Sequence, residues 1–244
     1  MRHIKTICKR ELVAYFASPV AYVFMVIFLL LTGFFTFMLG GFFERREANL
    51  LSFFMWHPWL YLFLVPAVGM RLWSEERRLG TLELLMTMPI TPWQAIVGKF
   101  LASWAFLALG LALTFPVVYT VNYLGDPDNG IVFAGYVGSF MLAGGYLAVT
   151  SMTSAMTRNQ VIAFILSVVI CFFLILAGWP PVTNLLVRWA KPEFVEFVAA
   201  FSVMPHFEGF QRGVLDSRDV IYFLSMIGFP LFTTGVILRG LRGG

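Results

Sequence analysis

Six stretches of this chain, each long enough to cross a membrane, contain no aspartate, glutamate, lysine or arginine. An α-helix needs about 20 apolar residues to cross the hydrocarbon core of a bilayer. The charge-free stretches are Pro19–Phe43, Ala48–Met70, Phe100–Gly125, Asn129–Thr157, Asn159–Val187 and Val220–Leu238. They place the spans at about 19–43, 48–70, 97–123, 131–156, 160–182 and 219–239. The sequence thus predicts an all-α integral membrane protein, with six transmembrane helices in a single domain over residues 1–244.

The composition excludes several function classes. Charged residues make up 12% of the chain and hydrophobic residues 59%, whereas a soluble domain is about 25% charged. The predicted spans lack the ionisable groups with which ion-coupled carriers hold their coupling ion. The sequence has no Gly-x-x-x-x-Gly-Lys-Ser/Thr loop, so ATP and Mg²⁺ are expected to bind to another polypeptide. His3, His57 and His206 are isolated from one another, and we expect neither a metal site nor a catalytic residue.

The basic residues are distributed unevenly between the two sides of the predicted bundle. If both termini lie on one side, that side carries 11 of the 17 lysines and arginines, and the other carries 6. Basic residues are enriched in cytoplasmic loops. We therefore expect both termini in the cytoplasm and a multi-pass location in a bacterial inner membrane.

The connection between the second and third predicted spans is long, charged and amphipathic. Ser74 is expected to be the N-cap of a short helix there, and Pro89 to end it. Leu79, Leu82 and Met86 recur at helical spacing and predict one apolar stripe. A surface-lying anchor is the simpler interpretation, but its glutamates would weaken binding to an anionic leaflet.

The run Glu75-Glu76-Arg77-Arg78-Leu79-Gly80-Thr81-Leu82-Glu83-Leu84-Leu85, followed by Thr87-Met88-Pro89-Ile90-Thr91, resembles the signature after the second span of type 2 ABC exporter permeases. The compact chain is most similar to the gliding-motility-associated and nitrous-oxide-maturation branch. The resemblance implies that this segment is a coupling helix that docks on a separate ATPase. It also implies a smaller contact at the turn between spans four and five. The implied ATPase-contacting residues are Glu75, Glu76, Arg77, Arg78, Leu79, Gly80, Thr81, Leu82, Glu83, Leu85, Met86, Arg158 and Asn159.

Two further segments fit the same resemblance. The N-terminal segment has apolar residues on one side and Lys5, Lys9 and Arg10 on the rest, which is typical of an amphipathic helix in the membrane interface. The resemblance makes it a connecting helix that meets the first span at an elbow near Ser18-Pro19, and a basic tail that only sets topology is the alternative. It also implies short external re-entrant helices before the sixth span, at Glu193–Met204 and roughly Phe207–Val214. An interfacial belt is the alternative there.

The resemblance also implies partners and a pathway. The partners are two copies of an ABC ATPase subunit, a second copy of this chain or a related permease, and membrane lipid, but not nucleic acid. An accessory periplasmic or membrane subunit is left open. Spans two and five would line the pathway, although lipid-facing filler is an alternative for each aromatic residue. The residues concerned are Phe53, Phe54, Trp56, Tyr61, Phe164, Phe172 and Phe173.

Two other functions stay open from the residues alone. A membrane anchor that recruits a cytoplasmic complex would need the same charged loop but no pathway. An intramembrane hydrolase would need a nucleophile paired with a base, and the serines of the spans have no evident partner in the sequence. His57 lies beside Pro58 and Trp59 and is expected in an interfacial aromatic belt, with a proton relay as the alternative. Nothing in the sequence identifies the cargo.

Overall fold

The computed structural model describes residues 2–44, 48–82, 90–188 and 192–240, and their regular secondary structure is entirely helical. The all-α membrane fold predicted from the sequence is thus confirmed. A π-helical turn, Phe35–Leu39, follows the second helix. The α-helices, numbered in chain order, are α1 (Arg2–Ala17), α2 (Pro19–Phe34), α3 (Leu51–Phe54), α4 (His57–Gly69), α5 (Arg71–Leu79), α6 (Pro92–Ala112), α7 (Phe115–Leu124), α8 (Asn129–Met156), α9 (Gln160–Leu176), α10 (Pro180–Leu186), α11 (Pro192–Ala200), α12 (Val203–Gln211) and α13 (Ser217–Gly240).

Five continuous helical segments of the described chain are long and apolar enough to cross a membrane. They are Pro19–Leu39, Leu51–Leu79, Pro92–Leu124, Asn129–Met156 and Ser217–Gly240. A sixth span exists if Gln160–Leu176 and Pro180–Leu186 are counted together, although they meet at 71°. The bend follows from Pro180 and Pro181 at the start of α10, since proline has no N–H to continue a preceding helix.

Local capping explains where several spans begin. Ser18 ends α1 and caps α2 by accepting a hydrogen bond from the Val20 N–H, with Pro19 in the first turn. Thr91 and Gln94 form a reciprocal capping box at the start of α6. Helix α6 therefore begins at Pro92, before the charge-free stretch that starts at Phe100, and it contains Lys99.

Helix α8 forms the centre of the bundle and packs against α4, α5, α6, α9, α12 and α13. Its glycines allow the close approach of large side chains. A Cβ at Gly135 would lie 2.4 Å from the Phe54 ring, and one at Gly138 would lie 2.5 Å from Phe210. Small residues at such contacts are characteristic of helix packing in membranes.

Helix α1 packs along α6 by its less exposed side, while Lys5, Lys9 and Arg10 are exposed. The Tyr15 ring stacks on Phe106 with centroids 5.0 Å apart, and its hydroxyl lies 2.9 Å from Ser103 Oγ. Burial raises the pKa of Tyr15 to about 12, so this tyrosine stays neutral near pH 7. The N-terminal helix is thus fixed against protein along its length.

The segment before the last span contains two short helices, α11 and α12, whose bounds differ from those expected. Ser202 accepts a hydrogen bond from the Met204 N–H and caps α12, so Pro205 lies in the first turn rather than ending a helix. His206 Nδ1 lies 2.7 Å from Asp219 Oδ1 and fixes α12 to the start of α13.

Candidate functional site

Helix α5 continues the second span rather than starting a separate helix. Ser74 is not an N-cap: it is buried in α5, and its hydroxyl donates a hydrogen bond to the Met70 carbonyl. Met70 keeps right-handed helical geometry, so the chain runs almost unbroken from α4 into α5. Helix α5 ends at Gly80, which has φ +71°, a conformation that glycine adopts without steric cost. Pro89, the predicted helix end, lies outside the described residues.

The buried side of α5 is attached to α8 by hydrogen bonds from the backbone and from an indole. Ser154 Oγ accepts from the N–H groups of Trp73 and Ser74, at 3.0 Å each, and donates to the Met70 carbonyl at 2.8 Å. Trp73 Nε1 donates to Ser151 Oγ at 3.0 Å. These polar groups satisfy one another in a buried interface, and they hold α5 against the end of α8.

Arg77 extends this attachment to the last turn of α8. Its guanidinium donates a hydrogen bond to the Ala155 carbonyl, which is one of the unsatisfied carbonyls that a helix C-terminus presents to cations. Residues Arg158 and Asn159 follow directly and are exposed. The two segments that the sequence predicted as separate ATPase contacts are therefore neighbours at one end of the bundle.

The exposed residues of these two segments form a surface that we call the apex patch. It contains two large apolar side chains, since Leu79 is 63% exposed and Met156 is 56% exposed. Single exposed apolar residues are common on protein surfaces, but these two stand together with two arginines. The apex patch comprises Arg78, Leu79, Thr81, Met156, Arg158 and Asn159.

Leu79 and Leu82 of the predicted apolar stripe do not share one face. Leu79 points outward and Leu82 is buried, because the left-handed backbone of Gly80 redirects the chain between them. Gly80 itself is exposed at the turn. Glu83, Leu85 and Met86, which the sequence also predicted as ATPase contacts, lie outside the described residues.

Glu76 was predicted to contact the ATPase, but its side chain points into the bundle. Lys99 Nζ lies 2.8 Å from Glu76 Oε1 and 3.4 Å from Glu11 Oε1. Lys99 also lies 5.4 Å from the centroid of the Trp73 ring, within range of a cation–π interaction. We call Glu11, Glu76 and Lys99 the ionic triad, and it joins α1, α5 and α6.

Sequence reasoning missed this role of Lys99, whose side chain is only 6% exposed. In the sequence, Lys99 stands directly before the charge-free stretch that begins at Phe100. A signal was present, because Pro92 and Thr91 mark a helix start that places Lys99 two turns inside an apolar helix. Charged residues in such positions pair with one another or face the protein interior.

The aromatic residues predicted to line a pathway do not form one common surface within the chain. Phe53, Phe54 and Tyr61 are buried in the core, and Tyr61 hydroxyl lies 2.8 Å from Ser139 Oγ. On α9, Phe172 and Phe173 are exposed. Trp56 and Phe164 are half-buried.

His57 is fully buried within the chain. Its Nδ1 lies 2.9 Å from the Phe53 carbonyl oxygen, and the rings of Phe53, Phe54 and Tyr61 surround the imidazole. Its Nε2 has no hydrogen-bond partner among the described residues. Within the same part of the chain, no group of histidine, cysteine, aspartate and glutamate is arranged to hold a metal ion.

Comparison with known protein families gives a match over the middle of the chain. The family described as ABC-2 family transporter protein matches residues 60–197, which include α5, the ionic triad's Glu76 and Lys99, and the turn at Arg158. This match covers more than half of the 244 residues. No curated protein matches the chain. The chain belongs to the ABC-2 family of transporter membrane proteins.

Proposed function

We propose that this chain is the permease subunit of an ATP-driven exporter and that a separate ATPase subunit docks on the apex patch. Membership of the ABC-2 family supports a membrane component of an ABC transporter. The ATPase-docking part of the proposal rests on the apex patch. It presents two exposed apolar side chains on segments that hydrogen bonds fix to the central helix α8. The ATPase would bind ATP and Mg²⁺ itself.

The chemistry of the apex patch indicates what its partner offers. Arg78 and Arg158 give the patch two positive charges, and the partly exposed Glu75 lies 4.0 Å from Arg78 at its edge. Leu79 projects from the turn at Gly80 and is the most exposed apolar side chain there. We propose that the ATPase presents an acidic groove with an apolar pocket for Leu79, since complementary charge guides association and a buried apolar anchor supplies affinity.

The full transporter in this proposal contains two membrane subunits and two ATPases. The outward faces of α2 and α9 are apolar, with Val23, Ile27, Ile165 and Phe173 exposed, and they suit contact with lipid or with a second permease. The pathway would form between the two membrane subunits, with an accessory subunit left open. Positive-inside bias supports cytoplasmic termini in a bacterial inner membrane. The resemblance to the gliding-motility and nitrous-oxide-maturation branch belongs to the same proposal.

Native purification tests the docking assignment. We expect a nucleotide-hydrolysing protein to co-purify with the wild-type chain in mild detergent. Leu79→Glu should reduce its yield by roughly thirtyfold, the effect of losing an interface anchor worth about 2 kcal/mol. Leu215→Glu is the matched control, because Leu215 is 55% exposed but lies in the connection between α12 and α13.

Two results would contradict the proposal. One is recovery of the ATPase with Leu79→Glu at the wild-type level. The other is a co-purifying soluble partner that lacks nucleotide-binding motifs, which would favour a membrane anchor instead. Orientation is tested separately by Arg78→Cys in a variant whose Cys8 and Cys171 are serine, and we expect labelling only from the cytoplasmic side.

A further inference from the structure

A cavity of about 420 Å³ lies where α1 meets α2, enclosed by these helices together with α4, α5 and α6. Its volume is within the range of small-molecule sites, about 300–1,000 Å³. One part of its wall is apolar, formed by residues such as Val20, Phe24 and Phe106. The other part carries five charged side chains, Glu11, Arg71, Glu75, Glu76 and Lys99. The cavity is thus amphipathic, and it is distinct from the apex patch.

Three of these five charged side chains are paired with one another in the ionic triad. Lys99 is shared between Glu11 and Glu76. Arg71 is exposed and forms no ion pair with any described residue, and Glu75 reaches only Arg78, at 4.0 Å. The cavity therefore offers one uncommitted cation and one weakly paired carboxylate. They are four residues apart on one helix, which places them as neighbours on its surface.

The position of the cavity favours an amphiphile over a water-soluble ligand. Val20 lies at the start of the first span, is exposed, and lines the cavity. The apolar wall therefore continues into the lipid-facing surface of α2. The five charged side chains of the lining sum to −1, so they would repel an anionic headgroup. A zwitterionic headgroup fits better, because its phosphate can pair with Arg71 and its ammonium with Glu75.

We infer that this cavity binds a zwitterionic phospholipid from the adjacent leaflet, with its phosphate on Arg71, its ammonium on Glu75 and an acyl chain along Val20 and Phe24. The site borders the apex patch, since Glu75 lies 4.0 Å from Arg78, but its proposed ligand is neither the cargo nor the ATPase. It places a lipid at the elbow between α1 and the first span.

Native mass spectrometry of the full chain, delipidated in detergent, tests this inference. We expect phosphatidylethanolamine to be retained at least tenfold more than phosphatidylglycerol, and free phosphoethanolamine not to be retained. Arg71→Gln and Glu75→Gln should each lower phosphatidylethanolamine binding roughly tenfold or more, as expected for loss of a charge-assisted hydrogen bond. Ala14→Phe, at an exposed lining residue, should abolish binding by filling the cavity. Lys9→Gln is the control, since Lys9 is exposed on α1 and does not line the cavity.

Three outcomes would overturn the inference. Equal retention of phosphatidylethanolamine and phosphatidylglycerol would show that the cavity does not distinguish the two headgroups. Wild-type binding in both glutamine variants would remove Arg71 and Glu75 from the site. Retention of free phosphoethanolamine as strong as that of the lipid would replace the lipid with a soluble zwitterion. Glu75 is partly exposed, so Glu75→Gln should fold even if Ala14→Phe does not.

Discussion

Replacing Lys99 with methionine removes the ammonium of the ionic triad while keeping an unbranched side chain in its place. Glu76 would then have no ion-pair partner among the described residues, Glu11 would keep only the exposed Arg10, 3.1 Å away, and each carboxylate is only 20% exposed. Removing one partner of a fully buried ion pair costs about 3–5 kcal/mol. Because both carboxylates retain some contact with water, we expect a smaller loss for Lys99→Met, about 2–3 kcal/mol.

Thermal unfolding in detergent measures this loss. For a chain of this size, about 1 kcal/mol corresponds to roughly 2–4 °C, so the Tm should fall by about 5–10 °C. Arg78→Met is the matched control. Its guanidinium lies 4.0 Å from Glu75 on an exposed surface, and such a pair contributes less than about 1 kcal/mol.

Neutralising the carboxylates tests the cause of the destabilisation. Glu11→Gln and Glu76→Gln, combined with Lys99→Met, should recover most of the lost stability, because no uncompensated charge then remains in the cluster. The recovery is a coupling free energy that single variants cannot show. If Lys99→Met unfolds at the wild-type temperature, or if the triple variant is less stable than Lys99→Met alone, the assignment of the triad is wrong.

Three further predictions concern packing and the α5 attachment. Gly138→Ala should lower the free energy of unfolding by about 1–3 kcal/mol, because its Cβ would lie 2.5 Å from Phe210. Gly228 has open space around it, so Gly228→Ala should be neutral or stabilising in the same unfolding assay. Ser154→Ala should lower the free energy of unfolding by about 1–3 kcal/mol, because it removes the acceptor for the N–H groups of Trp73 and Ser74. The control is Ser225→Ala, at an exposed position of α13, which should change the Tm little. Gly80→Val should destabilise the turn by about 1–2 kcal/mol, because valine would have to adopt positive φ, and it should reduce ATPase co-purification. Gly80→Asn should be tolerated, because asparagine adopts positive φ more readily.

The spans were predictable because their signal is long and one-dimensional. A charge-free window such as 129–157 needs no knowledge of neighbours to indicate a helix, and the structure places α8 at Asn129–Met156. The elbow near Ser18-Pro19 was implied by the family resemblance, and its physical cause is local, since a capping serine followed by proline marks a helix start.

The features that the sequence did not reveal depend on contacts between distant residues. Ser74 has the composition of an N-cap, but Ser154, 80 residues away, accepts from its backbone N–H and keeps it inside a continuous helix. Glu76 looked like a surface residue of a charged run, and only the proximity of Lys99 turns it inward. The bend between α9 and α10 could have been anticipated from Pro180 and Pro181, but it was hidden in a charge-free window.

The attachments of α5 determine how a force on the apex patch would spread. On one side, Ser151 and Ser154 hold α5 to α8. On the other, Lys99 pairs with both Glu76 and Glu11, so separating α5 from α1 would leave Glu76 without a cationic partner among the described residues, or leave Glu11 with only the exposed Arg10. Leaving a carboxylate uncompensated costs more than moving the joined helices together. We therefore expect α1, α5, the start of α6 and the end of α8 to move as one body, with bending concentrated at Ser18-Pro19 and at the break before Pro180, where helical hydrogen bonding is already interrupted.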